Sequence, residues 1–446
     1  MSLFNISTSI KLFAFLWPVF FLVQFSLLFA QGTGDYYPPR VRPDRVNLAV
    51  TEDPSSSMAV TWRTHSSIQT GMAEIVPASA NPLSVNDAKQ VPAISQTLRS
   101  ADGNYKELTW KGVEANYHSV TFQHLQPNTL YSYRVGDGKE WSEWFQFKTA
   151  GGSTDKLSFL YFGDAQTDLR SLWSRAIRQA YAHQPDAALM LHAGDLVNRA
   201  NRDEEWGEWF EAGAFITATI PQMPSPGNHD YGRDEKDLQL SDFWRPQFTL
   251  PQNGPEGLEE TCYFTDVQGV RIISLDSYLA EESDEYLEKQ RVWLDRILSN
   301  NPNRWTVMVF HHPIYSPKST RDNKRMRESF KPLFDKYKVD LVLQGHDHTY
   351  ARGMENIPME ENGIKSGTMY VVSVSGPKMT DNRVEKKFWM EEAGVYTQLY
   401  HTITVEGEKL EFRSFTTIGE LYDAFDLIKR KDEINQLVNL QPKKEN

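Results

Sequence analysis

Asp340-Leu341-Val342-Leu343-Gln344-Gly345-His346-Asp347-His348 is the stretch that decides the fold. A β-type apolar run ends in a glycine, and the turn behind it carries histidines at i and i+2. That spacing can present both imidazoles to neighbouring ions across one turn. A lone His-x-His pair is weak, because paired loop histidines occur by chance. Here four other motifs precede it in order, and each follows a β-rich apolar run. Gly163-Asp164 follows 157–162, Gly194-Asp195 follows 187–193, Gly227-Asn228-His229-Asp230 follows a short stretch ending in Pro226, and His311-His312-Pro313 follows 305–310. Side chains at the C-terminal ends of parallel strands converge on one crevice, where open α/β sheets bind ligands. Asp164, Asp195, Asn228, His311, His346 and His348 at such ends make a shell for two metal ions, since hard divalent cations take O and N ligands together. Asp164 and Asp195 are the natural anions, and a carboxylate can bridge ions about 3.5–4 Å apart. Helix capping or a turn explains any one such Asp or Asn. It does not explain six residues in order at successive strand ends.

The chain has 446 residues, too long for one core, which implies two domains. A net charge of −12 argues against a nucleic-acid duplex as partner, which would want a basic face. Acidity does not forbid an anionic substrate, because two metal ions reverse the local field. Residues 1–30 read as a signal peptide: Lys11, an apolar run from Leu12, and Leu28-Phe29-Ala30 before Gln31. The run is also long enough for an uncleaved anchor, but Pro18, Gln24 and Ser26 favour cleavage, so no stable membrane span is expected afterwards. Cys262 is the single cysteine, so no intramolecular disulfide forms, and it reads as a packed strand residue.

Residues 39–150 read as an antiparallel β-sandwich: 58–62, 117–122, 125–135 and 144–147 alternate, with turn signals between. Leu125-x-Pro127-x-Thr129-x-Tyr131 resembles the tyrosine corner of fibronectin type III domains, and Trp62 falls in the core. Stacking of a sugar on exposed aromatics of this region is the sharper alternative. Gly151–Asp155 reads as a flexible connection. From 157 to 430 strands alternate with helices, expected at 169–182, 204–215, 285–298 and 324–337, which implies an α/β domain. Segments 402–405 and 410–413 flank a hairpin turn. Residues 420–446 read as a packed terminal helix followed by a charged tail from 431.

The order GD…GD…GNH[DE]…H…GHxH resembles the calcineurin-like metallophosphoesterases, and the sandwich in front makes the chain similar to purple acid phosphatases. The resemblance runs from about residue 40 to 430. It implies an N-terminal fibronectin III-like sandwich followed by an αββα catalytic domain. It implies Asp164, Asp195 and His348 on one ion, and Asp195, Asn228, His311 and His346 on the other. His311 is preferred to His312, which is left to the wall of the site. The resemblance further implies that His229 contacts phosphate and protonates the departing oxygen, with attack by a metal-bridged hydroxide. Asp230 orients His229 or its loop, or is a turn residue. His192, inside its strand, reads as a satisfied core or supporting residue.

One departure bears on the metals. The family's Gly-Asp-x-x-Tyr tyrosinate, which binds Fe(III), is Asn198 here, and the His that many relatives carry two residues after the first Asp is Gln166. Neither is an anion, so the expected pair is divalent (Zn, Mn or Fe), with Fe(III) not favoured. Gln166 and Asn198 are candidate ligands through their amide oxygens, or supports of the ligands. The expected function is an exported acid phosphatase-type hydrolase of small phosphomonoesters. A phosphodiesterase acting on nucleotides or lipid head groups is the alternative, and Lys318 or Arg321 offers a charge to phosphate if not simply solvated. A binding or adhesion protein with a degenerate catalytic domain is the alternative of another class.

Overall fold

The computed structural model describes residues 37–105, 108–232, 238–354, 367–380, 384, 387, 389–430 and 433–440. The expected signal peptide and the end of the charged tail lie outside these. The elements below all belong to the compact unit Pro39–Asn446.

The alternating segments of the first part pair as a sandwich. Asp44–Ala49, Met58–His65, Glu114–Phe122 and Ile94–Arg99 form one layer; Phe145–Lys148, Leu130–Gly136, Met72–Pro77 and Lys89–Pro92 form the other. Period-two alternation turns Val60, Trp62, Phe122, Tyr133 and Phe147 inward to a shared core. Trp62 is fully buried, with the His118 ring stacked on it at 5.3 Å. The Tyr131 hydroxyl accepts a hydrogen bond from Gln126 N at 2.9 Å, which fixes the corner before Leu130–Gly136.

The second part packs two sheets face to face. Leu157–Phe162, Met190–Ala193 and Gln222–Ser225 run parallel in an eleven-stranded sheet that ends in antiparallel strands. Val270–Ser274, Trp305–Val309, Leu341–Gln344 and Met369–Val372 run parallel in a seven-stranded sheet. The parallel strands of both are buried and mostly apolar, as strands covered on both faces are. Helices follow the expected positions closely: Asp203–Gly213, Asp284–Ser299 and Lys324–Tyr337. The helix expected at 169–182 opens as a wide π-type turn, Leu169–Trp173, before the α-helix Ser174–His183. The expected C-terminal helix does not form. Leu421–Ile428 and Gln436–Asn439 are strands that extend the eleven-stranded sheet.

The two parts are stitched by backbone and by charge. Ala49 pairs with Gln222 in parallel register, so the sandwich layer continues the catalytic sheet. The connection Gly151–Asp155 is tied down rather than loose: Gly151 N donates to Gln268 Oε1 at 3.2 Å, and Gly152 N to Asp155 Oδ2 at 2.8 Å. Buried Asp203 receives Arg45 at 2.7 and 2.9 Å and Arg63 at 3.1 Å. Removing it leaves buried Arg45 without a carboxylate and Arg63 with Asp44 alone. Asp203→Ala is therefore expected to lower unfolding free energy by about 3–5 kcal/mol. Arg291→Ala, at an exposed helical pair with Glu288, should leave it unchanged. Denaturant titration of both variants checks the contrast.

Candidate metal centre

The expected ladder closes into one site because the two parallel sheets end at the same place. Asp164, Asp195 and Asn228 follow strands of the eleven-stranded sheet; His311, His346 and His348 follow strands of the seven-stranded one. A single parallel bridge between Asp164 and Val374 joins the sheets there. Glycine is needed for the close approach. At Gly194, with φ of 82°, a Cβ would lie 2.6 Å from His311 Nδ1 and 2.7 Å from Gly227 N. Asp195, His346 and His348 also have left-handed backbones, φ 51°, 72° and 51°. Non-glycine residues held in that region cost about 1–3 kcal/mol each and mark functional turns.

Two clusters of ligand atoms result. The ligand atoms of Asp164, Asp195 and His348 lie within 4.8 Å of one another, as do those of His311, His312 and His346. In the first, Asp164 Oδ1 is buried without a hydrogen-bond partner, 3.3 Å from His348 Nε2. Asp164 Oδ2 accepts from His346 N at 2.7 Å, tying one cluster to the other. In the second, His311 Nδ1 lies 2.8 Å from the Ala193 carbonyl. A carbonyl only accepts, so the neutral ring keeps its proton there and turns a lone pair on Nε2 inward. Around that nitrogen stand His346 Nδ1 at 3.0 Å, Asn228 Oδ1 at 3.2 Å and Asp195 Oδ2 at 3.3 Å. Ligands bound at ~2.0–2.1 Å in a tetrahedral shell stand about 3.3 Å apart, so the spacing fits an ion.

Electrostatics agree with that fit. Burial opposes charge on His311, yet Asp195 and Asp164 push its pKa up to about 9. Burial likewise opposes the Asp195 carboxylate, and the His311 and His229 rings hold its pKa below the ordinary value. The cluster thus draws positive charge to itself, by proton or by metal. Burial keeps His312 and His346 neutral, as ligands must be. His312, expected in the wall, offers a ligand atom to the second cluster, while Ser277 Oγ contacts its Nδ1 at 3.0 Å.

The remaining residues support the clusters. His229 N donates to Asp195 Oδ1 at 2.8 Å, and His229 Nδ1 lies 2.7 Å from the Asn198 carbonyl. Asn198 therefore reaches the site through its backbone, and on the other side of the ring His229 Nε2 lies 3.4 Å from Lys378 Nζ. Gln166 Nε2 donates to Asp195 Oδ2 at 2.7 Å, and its amide oxygen accepts from Lys378 Nζ. An ammonium can face only an acceptor, so the Gln166 oxygen is turned away from Asp195. Gln166 acts here as a clamp on the shared carboxylate. Asp230 accepts from Leu196 N at 3.1 Å and Gly227 N at 2.8 Å, holding two motif loops together rather than His229. Arg321 and Lys318 are half-buried, and both lie against buried Asp347, at 2.5 and 3.9 Å. His192 is a core residue, with Nε2 at 2.7 Å from Gln222 Oε1.

Lys378 was not foreseen. Its Nζ lies 3.4 Å from His229 Nε2. The signal was a sixth apolar strand, Met369–Val372, followed by Gly376-Pro377; without an acid, amide or histidine behind it, nothing marked that strand end.

Comparison with known proteins agrees with this geometry. Residues 43–149 match the N-terminal domain of purple acid phosphatases, and residues 157–350 match the calcineurin-like phosphoesterases. Human acid phosphatase type 7 is 28% identical over 357 residues, 73% of this chain and 74% of that protein. Purple acid phosphatase 21 of Arabidopsis thaliana is 30% identical over 244 residues, 53% of each chain. The structure of purple acid phosphatase PPD1 from yellow lupin seeds superposes with a TM-score of 0.71 at 20% identity, covering 88% of this chain and 75% of that one. Such a fold implies a dinuclear metal centre, and the paired clusters supply candidate ligands for it. The chain belongs to the calcineurin-like metallophosphoesterases, in their purple acid phosphatase-like group, and is a phosphoric ester hydrolase.

Proposed function

We propose that this protein is an exported, dinuclear metal-dependent phosphatase that hydrolyses small phosphomonoesters. The observation that carries the reading is Asp195, which stands in one donor cluster and 3.3 Å from His311 of the other. Asp164, Asp195 and His348 would hold one ion; Asp195, Asn228, His311 and His346 the second, with His312 in reach. Two such ions, when bound, activate a water and neutralise charge on the phosphoryl group. The chain does the rest. Gln166 and the backbone N–H of His229 fix both oxygens of Asp195. The Asn198 carbonyl holds the His229 ring so that Nε2 can pass a proton to the leaving oxygen. Lys378 adds a cation at the same edge, beside His229 and Gln166.

Parallel assays with nitrophenyl mono- and diesters, on protein of measured metal content, test this. Preference for the monoester with about two ions per chain supports it; preference for the diester favours the phosphodiesterase alternative, and no activity in metal-loaded protein sinks both. The metals should be divalent, because Asn198 stands where a tyrosinate would stabilise Fe(III). Iron-loaded protein is accordingly expected to show no charge-transfer band in the visible. Export rests on Lys11 and the apolar run behind it. N-terminal sequencing of exported protein should begin at Gln31; retention of Met1 would indicate an anchor. Among the described residues no helix is long and apolar enough to cross a membrane.

A further inference from the structure

A cavity of about 420 Å³ opens beside the metal centre, with His229 and Asn198 in its lining. Its other side comes from the sandwich. Gly103–Tyr105 and Leu108–Trp110 form a two-stranded ribbon inserted between Ile94–Arg99 and Glu114–Phe122, and Asn104 and Trp110 on it line the cavity. An isolated two-stranded ribbon is marginal in water. This one is cinched at its base. Ser100 N donates to the Val113 carbonyl at 3.0 Å, Val113 N to Ser100 Oγ at 2.9 Å, and Gly112 N to Asp102 Oδ1 at 2.8 Å. The indole of Trp110 packs on Gly103, where a Cβ would fall 2.4 Å from the ring. The ribbon therefore holds one half-buried aromatic ring over the side of the site where His229 stands.

The lining is polar but short of positive charge. Asn104, Asn201 and Gln239 bring amides, Asp242 brings a carboxylate, and that of Asp102 is ion-paired with Lys111 at 2.7 Å. The guanidinium of Arg199, also in the lining, is ion-paired with Glu205. A second phosphate or a carboxylate on the ligand would meet the Asp242 carboxylate unfavourably. A ring with hydroxyls would find an apolar face on Trp110 and hydrogen-bond partners on the amides.

We propose that this cavity is the leaving-group subsite and that it takes an uncharged polyhydroxylated ring, as in a sugar monophosphate, laid against Trp110. The assignment rests on the phosphomonoesterase reading above. It makes the sandwich part of the specificity apparatus.

The test compares kcat/KM for glucose 6-phosphate, adenosine monophosphate, fructose 1,6-bisphosphate and ethyl phosphate in the wild type, Trp110→Ala and Asn104→Ala. Wild type should prefer glucose 6-phosphate over the other three. Trp110→Ala should lower its kcat/KM about tenfold, the size of one aromatic stacking contact, and leave ethyl phosphate unchanged. Asn104→Ala should show a smaller loss of the same kind, and circular dichroism confirms that both variants fold. An unchanged glucose 6-phosphate to ethyl phosphate ratio in both variants overturns the subsite. A wild-type preference for adenosine monophosphate overturns the polyol assignment, and a preference for the bisphosphate overturns the charge argument. A wild type that cleaves no monoester overturns the parent reading, and this one with it.

Discussion

Asp195→Asn is expected to lower kcat by about a thousandfold or more and to deplete bound metal. The substitution preserves shape, so packing is not the cause. Asp195 is buried, and both its oxygens already accept hydrogen bonds, Oδ1 from His229 N and Oδ2 from Gln166 Nε2. Asparagine has one oxygen. Whichever way its amide turns, an NH₂ meets an N–H donor, and one side of the shared ligand loses its acceptor. The change also removes the negative charge that both clusters share through this residue. Elemental analysis together with steady-state kinetics checks the prediction, with circular dichroism as control for folding. Full activity in this variant would take the proposed site out of the chemistry.

His229→Ala is the second large effect, and its diagnostic is the dependence on leaving group. Losing a positioned proton donor costs about 10²- to 10⁴-fold for an alkyl phosphate, whose alkoxide is a poor leaving group. A nitrophenolate departs without a proton, so the loss on nitrophenyl phosphate should be much smaller. Metal content should stay at the wild-type level, because His229 points its Nδ1 at the Asn198 carbonyl and stands outside both clusters. Equal losses on the two esters would mean that His229 binds or positions and does not protonate.

The ladder was legible because four of its five steps join a glycine to a side chain with ligand chemistry, and the fifth, His311-His312-Pro313, ends an apolar strand run in the same way. The helix Lys324–Tyr337 was legible because its apolar face repeats at helical spacing over four turns. The C-terminal segment was not. Leu421, Ala424, Phe425 and Ile428 recur at helical spacing, yet the segment is a strand. Long-range partners decided it: Arg352 binds Asp423 at 2.6 Å, and Arg413 reaches Asp426 from the paired strand at 2.8 Å. Periodicity alone cannot see such partners. Trp110 was hidden for a related reason. A ribbon of the first part of the chain enters the cavity of the second, a contact that no local pattern announces.

The junction at Ala49 and Gln222 has a further consequence, for solubility rather than catalysis. Gln222–Ser225 is the last catalytic strand before the sandwich, and its outer side would otherwise be an edge with unpaired backbone groups. Val50 N donates to the Gln222 carbonyl at 3.2 Å, and Leu48 N to the Thr217 carbonyl at 2.8 Å, so the incoming chain blunts that edge at its start. Exposed edges template the addition of strands from other molecules. The sandwich thus guards the catalytic sheet against aggregation, and a catalytic half produced without Asp44–Ala49 would carry a sticky border beside its metal ligands.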